Sequence, residues 1–463
     1  MTKEIINSIK WSAFSEFASK TLPPVFYIIS ARLLTPEDFG VVATSSMVVA
    51  FASIIWEAGL SKALIQNPEY DKINKIANVV FYSNFVISLI LYVILFFSSN
   101  FLAHFFNDTR LSDVLKVSGI SFIIGSLMSV HTALLQKDFK FKELFYSRFI
   151  GAMVPGIISV ILAYLGLKYW ALVWGTIISM IMQAIILWKI NHWRPSRDYD
   201  WDIARKIFKF SRWVLLSGLL SWFYIWGDLF VLSLYFNAHK LGLYRTGNYF
   251  VSTILGFITA PFLPVMYSYF SKIQQDRENI KNKLLLSSKI LSFFVLPIGT
   301  FLYIGSEIVS DLIFGKKWQG IEYVIGILAL QQSISWTIGL NTEAYKAVGR
   351  PDIETKILLY SLPIFLIVYI FSAHISFEVF LICRFLIVFI GLYIHLYFFK
   401  KILNVSFFEY FKNIKIELIF IFIYLFLYQF LITIYNIGEY RKIIFIIMFA
   451  IFYIVLTARF DKS

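Results

Sequence analysis

The sequence predicts an all-α polytopic membrane protein of about fourteen transmembrane helices. Three observations lead there. Of 463 residues, 59% are hydrophobic and only 15% charged, and the mean hydropathy of +0.73 lies far outside the range of soluble domains. The apolar residues gather in windows of about 20, the length that crosses a bilayer core as one helix. Those windows do not alternate polar and apolar residues at period two, as the strands of a transmembrane barrel do.

The first two spans are expected at 11–34 and 39–66, joined by Arg32-Leu-Leu-Thr-Pro-Glu-Asp-Phe-Gly40. Thr35 suits a helix cap, Pro36 the first helical position, and Glu37 and Asp38 the positive end of the macrodipole. The second span therefore starts there, and the two form an antiparallel hairpin. Windows at 77–103, 117–136, 144–167 and 169–190 complete a first set of six. The longest cytoplasmic connection, 191–208, contains Asp198-Tyr-Asp-Trp-Asp-Ile-Ala-Arg-Lys-Ile-Phe208, an amphipathic pattern expected to lie on the inner membrane surface. A second set of six follows at 209–236, 241–270, 285–305, 321–347, 356–375 and 377–399, and a final pair at 413–434 and 441–458. The expected organisation is a six-helix lobe over 1–190, a linker over 191–208, a second six-helix lobe over 209–399 and two additional helices within 400–463.

The halves resemble each other. Phe39-Gly40 opens the second span and Leu241-Gly242 the eighth, and the stretch from Thr132 to Ser147 parallels that from Thr342 to Ser361. Six is an even number, so both halves enter the membrane in the same orientation, related by an axis along its normal. Two such lobes around a central site suit alternating access.

The net charge of +14 is explained by topology. With the amino terminus inside and span-end residues counted with the adjoining loop, 30 of the 42 Lys and Arg fall inside and 10 outside, leaving Lys20 and Arg384 within spans. Both termini are thus expected in the cytoplasm, and no nucleic acid is needed to account for the charge. The basic start, Met1 to Lys10, is expected to lead into a helix and not a signal peptide, because the first span is too long and no small-x-small pattern follows. A single cysteine, Cys383, allows no internal disulfide, and six dispersed histidines show no metal-ligand spacing. With no Gly-rich phosphate loop and no loop beyond about 20 residues, neither a catalytic residue nor a cofactor is expected.

Five segments carry a family resemblance: Arg32 to Gly40, Glu57-Ala-Gly-Leu-Ser-Lys-Ala-Leu-Ile-Gln66, Leu135-Gln-Lys-Asp-Phe-Lys-Phe-Lys142, Leu241-Gly-Leu-Tyr244 and Gly315-Lys-Lys-Trp318. Jointly they resemble the Wzx-type flippases of the multidrug/oligosaccharidyl-lipid/polysaccharide (MOP) superfamily. The resemblance implies a V-shaped pair of six-helix bundles, like those of the MATE and MurJ exporters, in a bacterial cytoplasmic membrane. It further implies that an undecaprenyl-pyrophosphate-linked oligosaccharide moves from the inner to the outer leaflet for O-antigen or exopolysaccharide synthesis. Membrane lipids, a coupling proton or cation and other polysaccharide assembly proteins are the remaining expected partners.

A diphosphate and a string of sugars cannot cross hydrocarbon unaided, so polar and ionisable residues inside the spans are site candidates. Lys20, Arg384 and Arg245 are candidate cations for the diphosphate. Trp222 and Trp336, near the middle of their spans, offer indole faces for sugar rings, and Gln331, Gln332 and Asn341 offer hydrogen bonds. Glu16, Glu57 and Asp228 are candidate counter-charges or coupling sites, with Glu57 expected at a depth matching Lys20. Each of these residues has an alternative reading as a helix-packing group. Two other functions stand beside the lead: a drug or cation antiporter of the same superfamily, and a membrane-embedded polymerase or glycosyltransferase, which usually needs a sizeable outer loop that is absent here.

Overall fold

The computed structural model describes residues 22–57, 59–66, 72–435 and 453. Helices dominate, with no strand among the described residues. In chain order they are α1 (Leu22–Leu33), α2 (Pro36–Glu57), α3 (Leu60–Gln66), α4 (Ile73–Phe105), α5 (Arg110–Ser118), α6 (Ile120–Lys137), α7 (Phe141–Tyr164), α8 (Tyr169–Ile190), α9 (Trp201–Tyr235), α10 (Ala238–Lys272), α11 (Arg277–Ile304), α12 (Ser306–Val309), α13 (Ile321–Trp336), α14 (Asn341–Ala347), α15 (Asp352–Ile375), α16 (Phe377–Leu403), α17 (Phe407–Asn413) and α18 (Lys415–Tyr435).

Eleven helices are long and apolar enough to cross a membrane, and α17 with α18, bent by 66°, makes a twelfth if counted as one span. The expected fourteen are therefore not reached among the described residues. Of the expected first span only α1 is described, and the last, 441–458, lies outside apart from Tyr453.

The chain divides into two compact units, Met1–Gly242 and Leu243–Ser463. In the first, one cluster joins Leu60 and Leu64 of α3, Ile76 and Val80 of α4, Val130 of α6 and Ala204 and Ile207 of α9. Another joins Val41, Val114 and Val173 with Ala238. In the second unit α11 lies against α13, α15 against α16, and Phe420, Tyr424 and Tyr428 of α18 gather around Ile304.

Lipid tails are as apolar as leucine, so contacts between these helices rely on close fit at small residues. A Cβ on Gly175 of α8 would stand 2.2 Å from Ser159 Oγ of α7, and one on Gly299 of α11 would stand 2.2 Å from Ser333 Oγ of α13. At the start of α2, Asp38 reaches back to accept from the Thr35 backbone N–H (3.1 Å) and hydroxyl (3.2 Å), with Pro36 at the first helical position.

The stretch 191–208 is not a separate surface helix. Residues 191–200 are irregular and strapped down: Ser196 N donates to Asn78 Oδ1 (3.0 Å), and Arg194 donates to the carbonyls of Trp188, Asn191 and Trp193, each at 2.7 Å. Asp200 then caps α9 by accepting from the N–H groups of Asp202 and Ile203, and the helix runs unbroken for 35 residues. The apolar face of 201–208 is buried against α3 and α4 because those helices present a matching apolar surface.

Candidate functional site

The expected second span is two helices. α2 alone has 22 residues, about 33 Å at 1.5 Å per residue, enough for a full crossing. Glu57 is its last residue, so the carboxylate sits at the end of α2 and not within a single span running on to Gln66, as the sequence leads one to expect. The break follows at Gly59, whose φ of +78° lies in the left-handed region. A Cβ there would also stand 2.7 Å from Val214 Cβ of α9, so the position excludes a side chain on two grounds.

Around this break the first unit holds a cavity of about 700 Å³. Trp56, Glu57, Ser61 and Lys62 line one side. Ser129, Thr132 and Gln136 of α6 and Ser217 and Ser221 of α9 line others. The Lys62 ammonium and the Glu57 carboxylate attract each other. The cavity thus presents a cation, a carboxylate, hydroxyls, an amide and an indole within helices that are otherwise apolar. That combination can hold an anionic, hydroxyl-rich solute.

Two of the resemblance-bearing segments, 57–66 and 135–142, meet here. Gln136 faces the cavity, while Lys137 donates to the carbonyls of Leu64 (3.4 Å) and Ile65 (3.1 Å) and so closes the C-terminal end of α3. Sequence reasoning named Glu57 but missed Lys62, Gln136 and the hydroxyls. The available signal was spacing: Ser129, Thr132 and Gln136, and likewise Ser217 and Ser221, each fall on one face of an apolar helix.

Of the other expected site residues, Lys20 and Glu16 lie outside the described residues, and with them the Lys20–Glu57 pair. Trp222 does not line this cavity. It is 7% exposed, donates its indole N–H to the Met47 carbonyl (3.2 Å) and meets Phe51 edge-on at 5.0 Å, so it joins α9 to α2. Asp228, on the same helix, is buried and accepts from the Leu229 N–H at 2.7 Å.

In the second unit, Gln332 donates to Asn248 Oδ1 (2.8 Å) and accepts from the Ser252 hydroxyl (3.0 Å), which commits both its polar atoms to joining α13 and α10. Gln331 is buried and donates to Ser335 Oγ at 3.2 Å. Half-buried Trp336 ends α13 and lies against Gly339 in the turn before α14, which Asn341, fully buried, begins. Arg245 is half-buried on α10, one turn from Tyr249, with which it interacts electrostatically. Arg384 of α16 donates Nε to the Tyr244 hydroxyl at 3.1 Å and Nη1 to the Tyr369 hydroxyl, and its guanidinium lies over the Tyr369 ring at 5.3 Å. This arginine ties three helices together through two phenols.

At the far end of α2 from the cavity, Glu37 Oε1 lies 2.6 Å from His239 Nδ1. A Cβ on Gly40 would stand 1.8 Å from the Ala238 carbonyl oxygen, and one on Gly242 would stand 1.8 Å from that of Pro36. The first turns of α2 and α10 therefore cross backbone to backbone, each supplying the glycine that the other requires. Asp38 adds a third tie, accepting from the Tyr169 N–H at 3.1 Å.

Comparison with known proteins adds family and fold. The model of a family described as polysaccharide biosynthesis protein matches residues 29–322. The succinoglycan biosynthesis transport protein ExoT of Rhizobium meliloti (strain 1021) is 25% identical over 75% of this chain and 70% of its own length. Among solved structures, the lipid II flippase MurJ in its inward closed conformation superposes with a TM-score of 0.79 at 16% identity, covering 98% of this chain and 99% of that one. An inward-facing multidrug resistance MATE transporter of the MOP superfamily superposes with a TM-score of 0.63 at 14% identity, over 84% of this chain and 96% of that one.

Proposed function

The chain belongs to the polysaccharide biosynthesis protein family, and on that premise we propose that it flips an undecaprenyl-pyrophosphate-linked oligosaccharide repeat unit across the bacterial cytoplasmic membrane, for O-antigen or exopolysaccharide synthesis. The observation that carries this reading is the polar cavity at the Gly59 break, set within an apolar helical frame. The relatives support it in kind: ExoT is named as a transport protein of succinoglycan biosynthesis and MurJ as a lipid II flippase.

In this reading, cargo enters from the cytoplasmic leaflet with its diphosphate against Lys62 and its sugars against Gln136, the α6 and α9 hydroxyls and the Trp56 ring. Glu57 is the counter-charge that holds Lys62 in the empty cavity, and the arriving diphosphate replaces it. The carboxylate so released is the site at which a proton or cation couples to transport, with Asp228 as a second. At the other end of α2, the crossing of its first turn with that of α10 acts as the outer latch, which opens when the cavity releases cargo outward. The charge bias supports both termini inside. In this reading the protein carries out no chemical step.

The MATE superposition and the carboxylate in the cavity favour one second reading, a drug or cation antiporter. Expression in cells lacking their own repeat-unit flippase separates the two. Restored surface polymer, lost in Lys62→Ala at equal membrane abundance, supports the flippase; drug resistance without surface polymer supports the antiporter.

A further inference from the structure

The second unit holds a cavity of about 600 Å³ that shares no residue with the one around Glu57. Arg277 begins α11, Arg350 precedes α15, and Lys356 and Lys401 stand on α15 and α16, so four cations line one opening. Among the described residues no carboxylate lines it. Asp352 stands beside it, accepting from Arg350 Nε (2.9 Å) and from Lys356 (2.6 Å), and offsets one of the four charges. Of the nearby acids, Asp276 caps α11 by accepting from the Asn279 N–H, and Glu354 is paired to Lys346 at 3.2 Å. The N-termini of α11 and α15 add their positive ends.

Away from the cations the lining changes character. Tyr393, Tyr397 and Lys401 follow one another at intervals of four along α16, and Lys356 and Tyr360 do the same on α15, so charge gives way to phenol along a single groove. Ile353, Ile394 and Phe398 form its wall. From Lys401 to Tyr393 the groove extends about 12 Å along the helix axis. Tyr360, Tyr393 and Tyr397 are 59%, 61% and 51% exposed on helices long enough to cross a membrane, the setting of interfacial tyrosines.

A free phosphate would be served by the cations alone and would gain nothing from the apolar wall. We propose that this groove binds an anionic phospholipid of the inner leaflet, its phosphate among Arg277, Arg350, Lys356 and Lys401 and its first acyl carbons along Ile353, Ile394 and Phe398. Basic openings between membrane helices on the cytoplasmic side take acidic headgroups in this way. The site is independent of the cargo cavity, and its occupancy ties the protein to acidic lipid.

The test uses the full chain, purified and delipidated in neutral detergent, with bound lipid counted by native mass spectrometry. The probes are phosphatidylglycerol, phosphatidylcholine and inorganic pyrophosphate. Phosphatidylglycerol is expected to bind, phosphatidylcholine is not, and pyrophosphate is not expected to displace the lipid. Arg277→Gln with Lys401→Gln is expected to weaken phosphatidylglycerol by about fivefold per cation removed, while Lys400→Gln, which does not line the groove, leaves it unchanged. Should the double variant fail to fold, Lys401→Gln alone decides. Equal binding of phosphatidylcholine, or unaltered phosphatidylglycerol affinity in the variants, overturns the proposal. Displacement by pyrophosphate overturns the lipid assignment in favour of a soluble phosphate.

Discussion

Glu37 and His239 lie 202 residues apart in sequence and 2.6 Å apart in space. The same offset separates Gly40 from Gly242 and Pro36 from Ala238, and each glycine lies under the other segment's carbonyl. The Phe39-Gly40 and Leu241-Gly242 starts are thus two copies of one device that meet face to face. Neither site accommodates a methyl group without moving backbone. Gly40→Ala and Gly242→Ala are each expected to cost about 1–3 kcal/mol, read as a lowered midpoint in thermal unfolding of the purified protein. Unchanged midpoints in both would remove the close crossing.

The outer-latch reading makes a separate demand. Joining Glu37→Cys to His239→Cys with a short thiol-reactive cross-linker, in a Cys383→Ser background, is expected to abolish surface polymer while leaving membrane abundance unchanged. The uncross-linked double variant retains export. Full export after cross-linking would show that these two turns need not part.

Gly59 is constrained by its φ of +78° and by Val214. Gly59→Ala is expected to lower stability by about 1–3 kcal/mol, and in a Val214→Gly background, where the Cβ at 2.7 Å is gone, the same change is expected to lose only the steric share of that cost, because the backbone strain remains. No cost of Gly59→Ala in the Val214→Gly background would mean that φ contributes nothing.

Arg384 is a different kind of residue from Lys62. With two phenols and a ring face as partners, it is a positioning group. Arg384→Lys keeps the charge but loses the planar fork, and is expected to cost about 1–3 kcal/mol of stability. Export per folded molecule is expected to stay normal. Normal stability with lost export would move the anion site to this arginine.

How far the sequence reaches is clearest at individual positions. Span 169–190 matches α8 end for end, because Lys168 and Asn191 bound a predominantly apolar run. The break at Gly59 was invisible to the same reasoning: a window of about 20 residues averages two apolar helices into one, and Gly59 announces itself only through φ and through Val214 on a distant segment. The 191–208 stretch was legible as amphipathic, but which surface its apolar face covers depends on Leu64 and Ile76, far away in sequence. In the site, Glu57 stood out because charge in an apolar run is costly. Gln136 and Thr132 did not, since hydroxyls and amides inside spans are common and only the fold shows which of them face space. Trp222 and Gln332, read as cavity groups, serve helix contacts through Met47 and Asn248, partners that no local pattern reveals.

Whether this chain moves a lipid-linked oligosaccharide between leaflets is decided by reconstitution. The purified protein is placed in vesicles carrying an undecaprenyl-diphosphate oligosaccharide, and the fraction of headgroups open to an impermeant glycosidase added outside is followed over time. Vesicles containing the protein are expected to pass from about half of the headgroups cleaved to nearly all, while Lys62→Ala vesicles stay at the level of protein-free ones. Cleavage that remains at the protein-free level with the folded wild-type protein, both with and without an imposed proton or cation gradient, would contradict the flippase reading.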